Sequence, residues 1–194
     1  MIAYNKQSGT FTLHTKHTTY QLAVHPTGVV QHVYYGPRLR DGCDLTGLLR
    51  YADRGFSPNP DEAGTDRTFS LDTTPQEYST CGVGDFRLPS IEFELPSGSH
   101  TADLRYVRSR IWRGKYTLEG LPAFFGGTEE WETLCVVLRD DAAQVEAELL
   151  YGVLEEYDLI TRSVLVRNQG TEPVRLCRCA SLCLDFQRSA LDMI

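Results

Sequence analysis

Apolar and polar residues alternate with a period of two in segment after segment of this chain. That pattern puts one face of an extended strand in a core and the other toward water, so it predicts antiparallel β-structure rather than helices. In "SIEFELPSG" the residues Ile91, Phe93 and Leu95 would face inward and Glu92 and Glu94 outward, with Pro96, Ser97 and Gly98 turning the chain. The segments "TFTLHT", "TTYQLAV" and "VVQHVYYG" behave in the same way. "ETLCVVLRD" is expected to fold back onto "AQVEAELLYGVLEE" through Asp140 and Asp141. Near the C-terminal end Ile160, Arg162, Val164 and Val166 would share one face, and "NQGTEP" would turn them into a hairpin with "VRLCRCASLCL". No convincing helix longer than about ten residues is found. Many short strands and one core's worth of apolar residues predict a single all-β domain, a sandwich of two antiparallel sheets whose loops carry the function.

One of those loops is too long to pass over. The stretch 52–90, and above all "YADRGFSPNPDEAGTDRTFSLDT" at 51–73, is neither strand nor helix in pattern. Irregular segments beyond about 12–15 residues are uncommon in compact domains unless they are functional or disordered. Phe56, Phe69, Leu71, Tyr78, Phe86 and Leu88 are spread along it as anchors would be. Asp53 and Arg54 precede Phe56, and Asp66 and Arg67 precede Phe69, so carboxylates and guanidinium groups would be held near the rim of the sheet. Such pairs suit sugar hydroxyls, and equally suit salt bridges within the loop or across a subunit interface.

The charge balance excludes one class of partner. With 26 acidic and 19 basic side chains the chain carries a formal charge of -7, so no basic stripe is available for a phosphate backbone. No window approaches about eighteen consecutive apolar residues. "MIAYNKQSGTF" has neither the charged start nor the apolar run of a secretory signal, which predicts a cytoplasmic protein that does not enter membranes.

Six cysteines are present, but "CRCASLC" has no second knuckle to complete a zinc site. Cys177 and Cys179 are expected as reduced, apolar-like residues on the core face of a strand. "GVGDFR" lacks the third glycine and the following helix of a dinucleotide fingerprint and reads as a turn. His14, His17, His25, His32 and His100 show no metal-ligand spacing, so neither a metal nor a cofactor is expected. Among the acidic groups Glu129–Glu130–Glu132, Asp140–Asp141 and Glu155–Glu156, strand neighbours point to opposite faces, so each reads as a turn or edge rather than a catalytic pair.

The motifs "HVYYG", "DRGFSPNP", "DRTFSLDTTPQEYSTCGVGDFRLPS", "DLRY", "GLPA", "ETL" and "ITRSVLVRNQG" occur in the order in which they stand in one family. From Tyr4 to about Phe186 the chain resembles the N-terminal β-domain of bacterial α-galactosidases of glycoside hydrolase family 36. The resemblance implies a galactose-mutarotase-like β-supersandwich, of which residues 1–194 would hold only the first part. It also implies a (β/α)₈ barrel outside this chain that supplies both catalytic aspartates, and homo-oligomers, often tetramers. The implied reaction removes terminal α-linked galactose from melibiose- and raffinose-type oligosaccharides with retention. Carried onto this sequence, Asp53 would reach the galactose of its own pocket, and Arg67 would contact sugar or clamp a neighbouring subunit. No catalytic residue is then expected in this chain. The other reading left open is a free-standing carbohydrate-binding module.

Overall fold

The computed structural model describes residues 1–53, 55, 59–122, 124 and 127–184. Ten strands appear among them: β1 (Ile2–Asn5), β2 (Thr10–His14), β3 (Thr18–Val24), β4 (Val30–Pro37), β5 (Ile91–Glu94), β6 (Arg105–Arg113), β7 (Trp131–Asp140), β8 (Val145–Leu154), β9 (Leu159–Asn168) and β10 (Arg175–Cys179). The helical elements among the described residues are short 3-10 turns, and none is long and apolar enough to cross a membrane.

Two four-stranded meanders, β1-β2-β3-β4 and β6-β7-β8-β9, pack face to face, and β10-β5 forms a third, two-stranded sheet. All pairings are antiparallel. Alternation decides which face goes inward. Phe11, Leu13, Tyr20 and Leu22 from the first meander meet Leu134, Val136, Leu149 and Tyr151 from the second, and Ile91 and Phe93 of β5 join them. Leu95, one step further on, is only partly buried, as befits the strand's end. The expected β7–β8 hairpin forms, with Trp131 opposite Leu154 at one end and Asp140 opposite Val145 at the turn.

The outer face of the second meander is covered as well. Cys135, Val137 and Leu150 lie under Tyr116. There Glu146 and Glu148 of β8 are nearly buried, and each is neutralised by an arginine of the same sheet: Arg108 of β6, reaching across β7, at 3.0 Å and Arg167 of the neighbouring β9 at 3.1 Å.

Two expectations fail at the C-terminal end. β10 does not fold back on β9; β9 pairs with β8, and β10 crosses to β5. Charge explains the choice. β5 offers Glu94 opposite Arg175 and Glu92 opposite Arg178, whereas β9 presents no carboxylate and its Arg162 and Arg167 are already engaged by Glu77 and Glu148. Opposite charges on facing residues favour a pairing and like charges disfavour it. Cys177 and Cys179 are exposed rather than in the core. A register shift between Leu176 and Arg178 breaks the simple alternation, and all five residues of β10 are exposed.

Candidate functional site: the anchored loop 51–73

The loop runs between two fixed points. At its start, the Tyr51 hydroxyl donates to Gln31 Oε1 of β4 at 3.0 Å. Near its end, Phe69 is 1% exposed and stacks on the His25 imidazole, the ring centres 3.9 Å apart and 11° from parallel. Phe69 and Leu71 pack with Val29, and Ala63 and Val83 close the cluster from the side. Burial in this cluster pushes the His25 pKa down and that of Tyr51 up. The sequence expectation that Phe69, Leu71 and Tyr78 pin the segment holds, since all three are buried. Phe86 and Leu88 do not: they are 87% and 72% exposed. Phe56 and Arg54 lie outside the described residues.

Between the anchors the backbone is held by side chains. Asn59 Nδ2 donates to the carbonyls of Arg67 (3.0 Å) and Phe69 (2.7 Å), tying the outgoing and returning limbs together. Asp66 accepts from the Thr68 hydroxyl and amide, and these bonds lower its carboxyl pKa. Asn59 was not singled out in the sequence, because one amide bridging two carbonyls leaves no local signature; the turn-forming Asn-Pro dipeptide was the only clue.

The two residues nominated from the sequence come together. Asp53 Oδ2 lies 3.4 Å from Arg67 Nε, Asp53 Oδ1 accepts from the Gly55 amide at 2.7 Å, and Arg67 Nη2 donates to the Gly55 carbonyl at 2.6 Å. Both side chains stay about half exposed, 48% and 59%. The positive φ of Gly55, 80°, lets the backbone present its amide to one partner and its carbonyl to the other. The result is a small rim on which a carboxylate and a guanidinium both keep unused valences toward solvent. Such a rim can accept from one hydroxyl of a polyol and donate to its neighbour.

The remaining acidic groups do structural work. Glu132 accepts from the Ile2 amide, Glu155 pairs with the chain's amino terminus (3.0 Å) and with Arg38 (2.8 Å), and Asp140 accepts the amides of Ala142, Ala143 and Asp103. His14 is buried against Thr19, and His17 bonds Asp158, whose carboxyl is thereby held at about 2.

The family described as Glycosyl hydrolase family 36 N-terminal domain matches residues 28–194. The chain is 48% identical, over its whole length, to the bifunctional alpha-galactosidase/sucrose kinase AgaSK of Mediterraneibacter gnavus, and 42% identical to alpha-galactosidase AgaA of Geobacillus stearothermophilus. It spans only 20% and 26% of those relatives. The solved galactosidase domain of AgaSK superimposes with a TM-score of 0.92 over 96% of this chain and 26% of that one, at 49% identity. AgaA solved with raffinose superimposes with a TM-score of 0.84 over 92% of this chain and 24% of its own, at 41% identity. The match in sequence and in fold makes this chain a member of the glycoside hydrolase family 36 N-terminal domain family.

Proposed function

We propose that this chain is the N-terminal, pocket-shaping and assembly portion of an α-galactosidase. The enzyme would remove terminal α-D-galactosyl residues from raffinose- and melibiose-type oligosaccharides with retention of configuration. The catalytic carboxylates then belong to a (β/α)₈ barrel outside residues 1–194, the enzyme works as a cytoplasmic homo-oligomer, and no cofactor, nucleic acid or membrane is involved. The observation that carries this reading is the match of the entire chain to α-galactosidases, one of them solved with raffinose and again with stachyose. Asp53 would accept from a galactose hydroxyl. Arg67 would hold Asp53 in place within its own loop and turn its free donors toward sugar or toward a neighbouring subunit.

A free-standing carbohydrate-binding module is less well supported. Trp131 is 1% exposed, and Trp112 packs with Leu118 and Leu165 beneath Arg110, so the two tryptophans do not form an exposed aromatic platform.

The longer polypeptide that carries this chain tests the proposal. It should hydrolyse an aryl α-galactoside and raffinose, and Asp53→Ala should lower kcat/KM by roughly 10- to 100-fold, the worth of one hydrogen bond to a charged acceptor. Absence of α-galactoside hydrolysis in the parent would sink the proposal; unchanged kcat and KM in the variant would remove Asp53 from the pocket.

A further inference from the structure

Phe86 is 87% exposed although everything around it is fixed. Before it, the Cys81 carbonyl accepts from the Ala102 amide at 2.9 Å. Gly82, at φ 86°, passes so close to residue 101 that an added Cβ would stand 2.9 Å from the Thr101 Cα. Val83 is packed against the Phe69–Leu71 cluster. On either side of Phe86 an ion pair, buried at its Asp85 end, holds the backbone. The Asp85 side chain is fully buried, accepts from Gln76 Nε2 at 2.7 Å, and takes both the amide (3.0 Å) and the Nε (2.9 Å) of Arg87. Arg87 Nη2 also donates to the carbonyls of Thr74 (2.7 Å) and Leu71 (3.2 Å).

With residues 85 and 87 bound inward, the side chain between them can only face out. Leu88 stands beside it, 72% exposed. A flexible exposed aromatic is common on protein surfaces, but one whose backbone is held by a buried carboxylate before it and a bonded guanidinium after it has already lost part of the entropy that docking would cost. That is the character of an interface anchor. The same guanidinium grips the carbonyls of Leu71 and Thr74, at the end of the loop that carries Asp53 and Arg67. Whatever receives Phe86 is thereby set in register with that loop.

The relatives are about four to five times as long as this chain, which spans 20–26% of them, so most of such a polypeptide lies outside residues 1–194. We propose that Phe86 and Leu88 are a docking knob for that remaining polypeptide of the same molecule. They would insert into an apolar pocket on it and so position the Asp53–Arg67 rim. This inference rests on the proposed function for its partner, though its principal test does not depend on catalysis.

In the longer polypeptide, the thiol of a Phe86→Cys variant should resist maleimide labelling under native conditions and react in mild urea, as located by peptide mapping. Labelling of that thiol at the rate of a free exposed cysteine overturns the proposal. Phe86→Ser should raise KM for raffinose while the protein keeps its oligomeric size, and Phe86→Leu should restore most of the loss. If Phe86→Ser instead splits the oligomer, the partner is a second copy and the intramolecular assignment is wrong. A protected thiol in a protein without α-galactosidase activity would overturn the proposed function and leave the docking site standing.

Discussion

Tyr151 and Arg162 face each other across β8 and β9, with the guanidinium carbon 4.0 Å from the centre of the phenol ring. Both belong to one buried network around Glu77, which the segment after the long loop delivers into the space between the sheets. The Glu77 amide bonds the Val30 carbonyl, and Gln76 bridges to Gln31, so this segment briefly extends the first meander past β4. The Glu77 side chain has no solvent exposure. It accepts from the hydroxyls of Tyr20 (2.7 Å) and Tyr151 (2.6 Å), and lies 3.3 Å from Arg162 Nη1 and 3.5 Å from His32 Nδ1. Tyr20 and His32 come from the first meander and Tyr151 and Arg162 from the second, so one carboxylate ties the two sheets together.

Removing that carboxylate strands a buried guanidinium. Glu77→Gln keeps the shape but loses the charge, and Arg162, with a side chain 7% exposed, has no other carboxylate partner among the described residues. Breaking a buried pair from one side costs about 3–5 kcal/mol, whereas replacing both members by apolar groups of similar size is often neutral. Urea unfolding should therefore show Glu77→Gln to be strongly destabilised, and Glu77→Leu/Arg162→Met to recover much of the loss.

The same network sets a pH dependence. Burial pushes the Glu77 pKa up, but His32, the Arg162 charge and the Tyr151 hydroxyl together outweigh it and hold it below the ordinary carboxylate value. A depressed folded-state pKa contributes stability above the unfolded pKa and loses it as pH falls through the folded one. Stability should thus fall on acidification below the usual glutamate range, and Glu77→Gln should flatten that part of the profile.

The strands were legible in the sequence because alternation is a local property. β5 alternates cleanly, and β2, β3, β7 and β8 send every second residue into the core between the sheets although their other faces are largely covered as well; the β7–β8 turn at Asp140 was found from its two aspartates. The failures are non-local. β10 reads as the natural partner of β9 because it follows directly after a turn, but the carboxylates that match Arg175 and Arg178 lie more than eighty residues earlier in Glu94 and Glu92. Arg162 was recognised as sharing a face with Ile160, Val164 and Val166, but its partner Glu77 sits in the irregular stretch where no period points inward. Asp53 and Arg67 were both visible; their 3.4 Å contact depends on Asn59 folding the loop back, which no spacing rule reveals.

The long loop should separate anchoring from rim chemistry. Phe69 is buried and stacked on His25, so Phe69→Ala should cost about 3–5 kcal/mol of stability and open the loop to limited proteolysis. Arg67 is more than half exposed, and an exposed ion pair contributes about 0–1 kcal/mol, so Arg67→Ala should leave the unfolding midpoint nearly unchanged. Equal destabilisation by the two substitutions would mean that the Asp53–Arg67 contact holds the fold rather than decorating it.

The cysteines sort by depth. Cys177 and Cys179 are exposed on β10, while Cys135 has no exposure and lies beneath Tyr116 on the outer face of β7. Burial also pushes the Cys135 thiol pKa up, which lowers its thiolate fraction at neutral pH. A thiol reagent applied to residues 1–194 should modify Cys177 and Cys179 rapidly and Cys135 only after denaturation, with the sites read by mass spectrometry. In the longer polypeptide, slow modification at Cys177 and Cys179 would mean that further chain covers β10, where Leu176 is 48% exposed in the present structure. Rapid modification there would instead mean that β10 remains an outer edge, defended by Arg175 and Arg178 against pairing with other molecules.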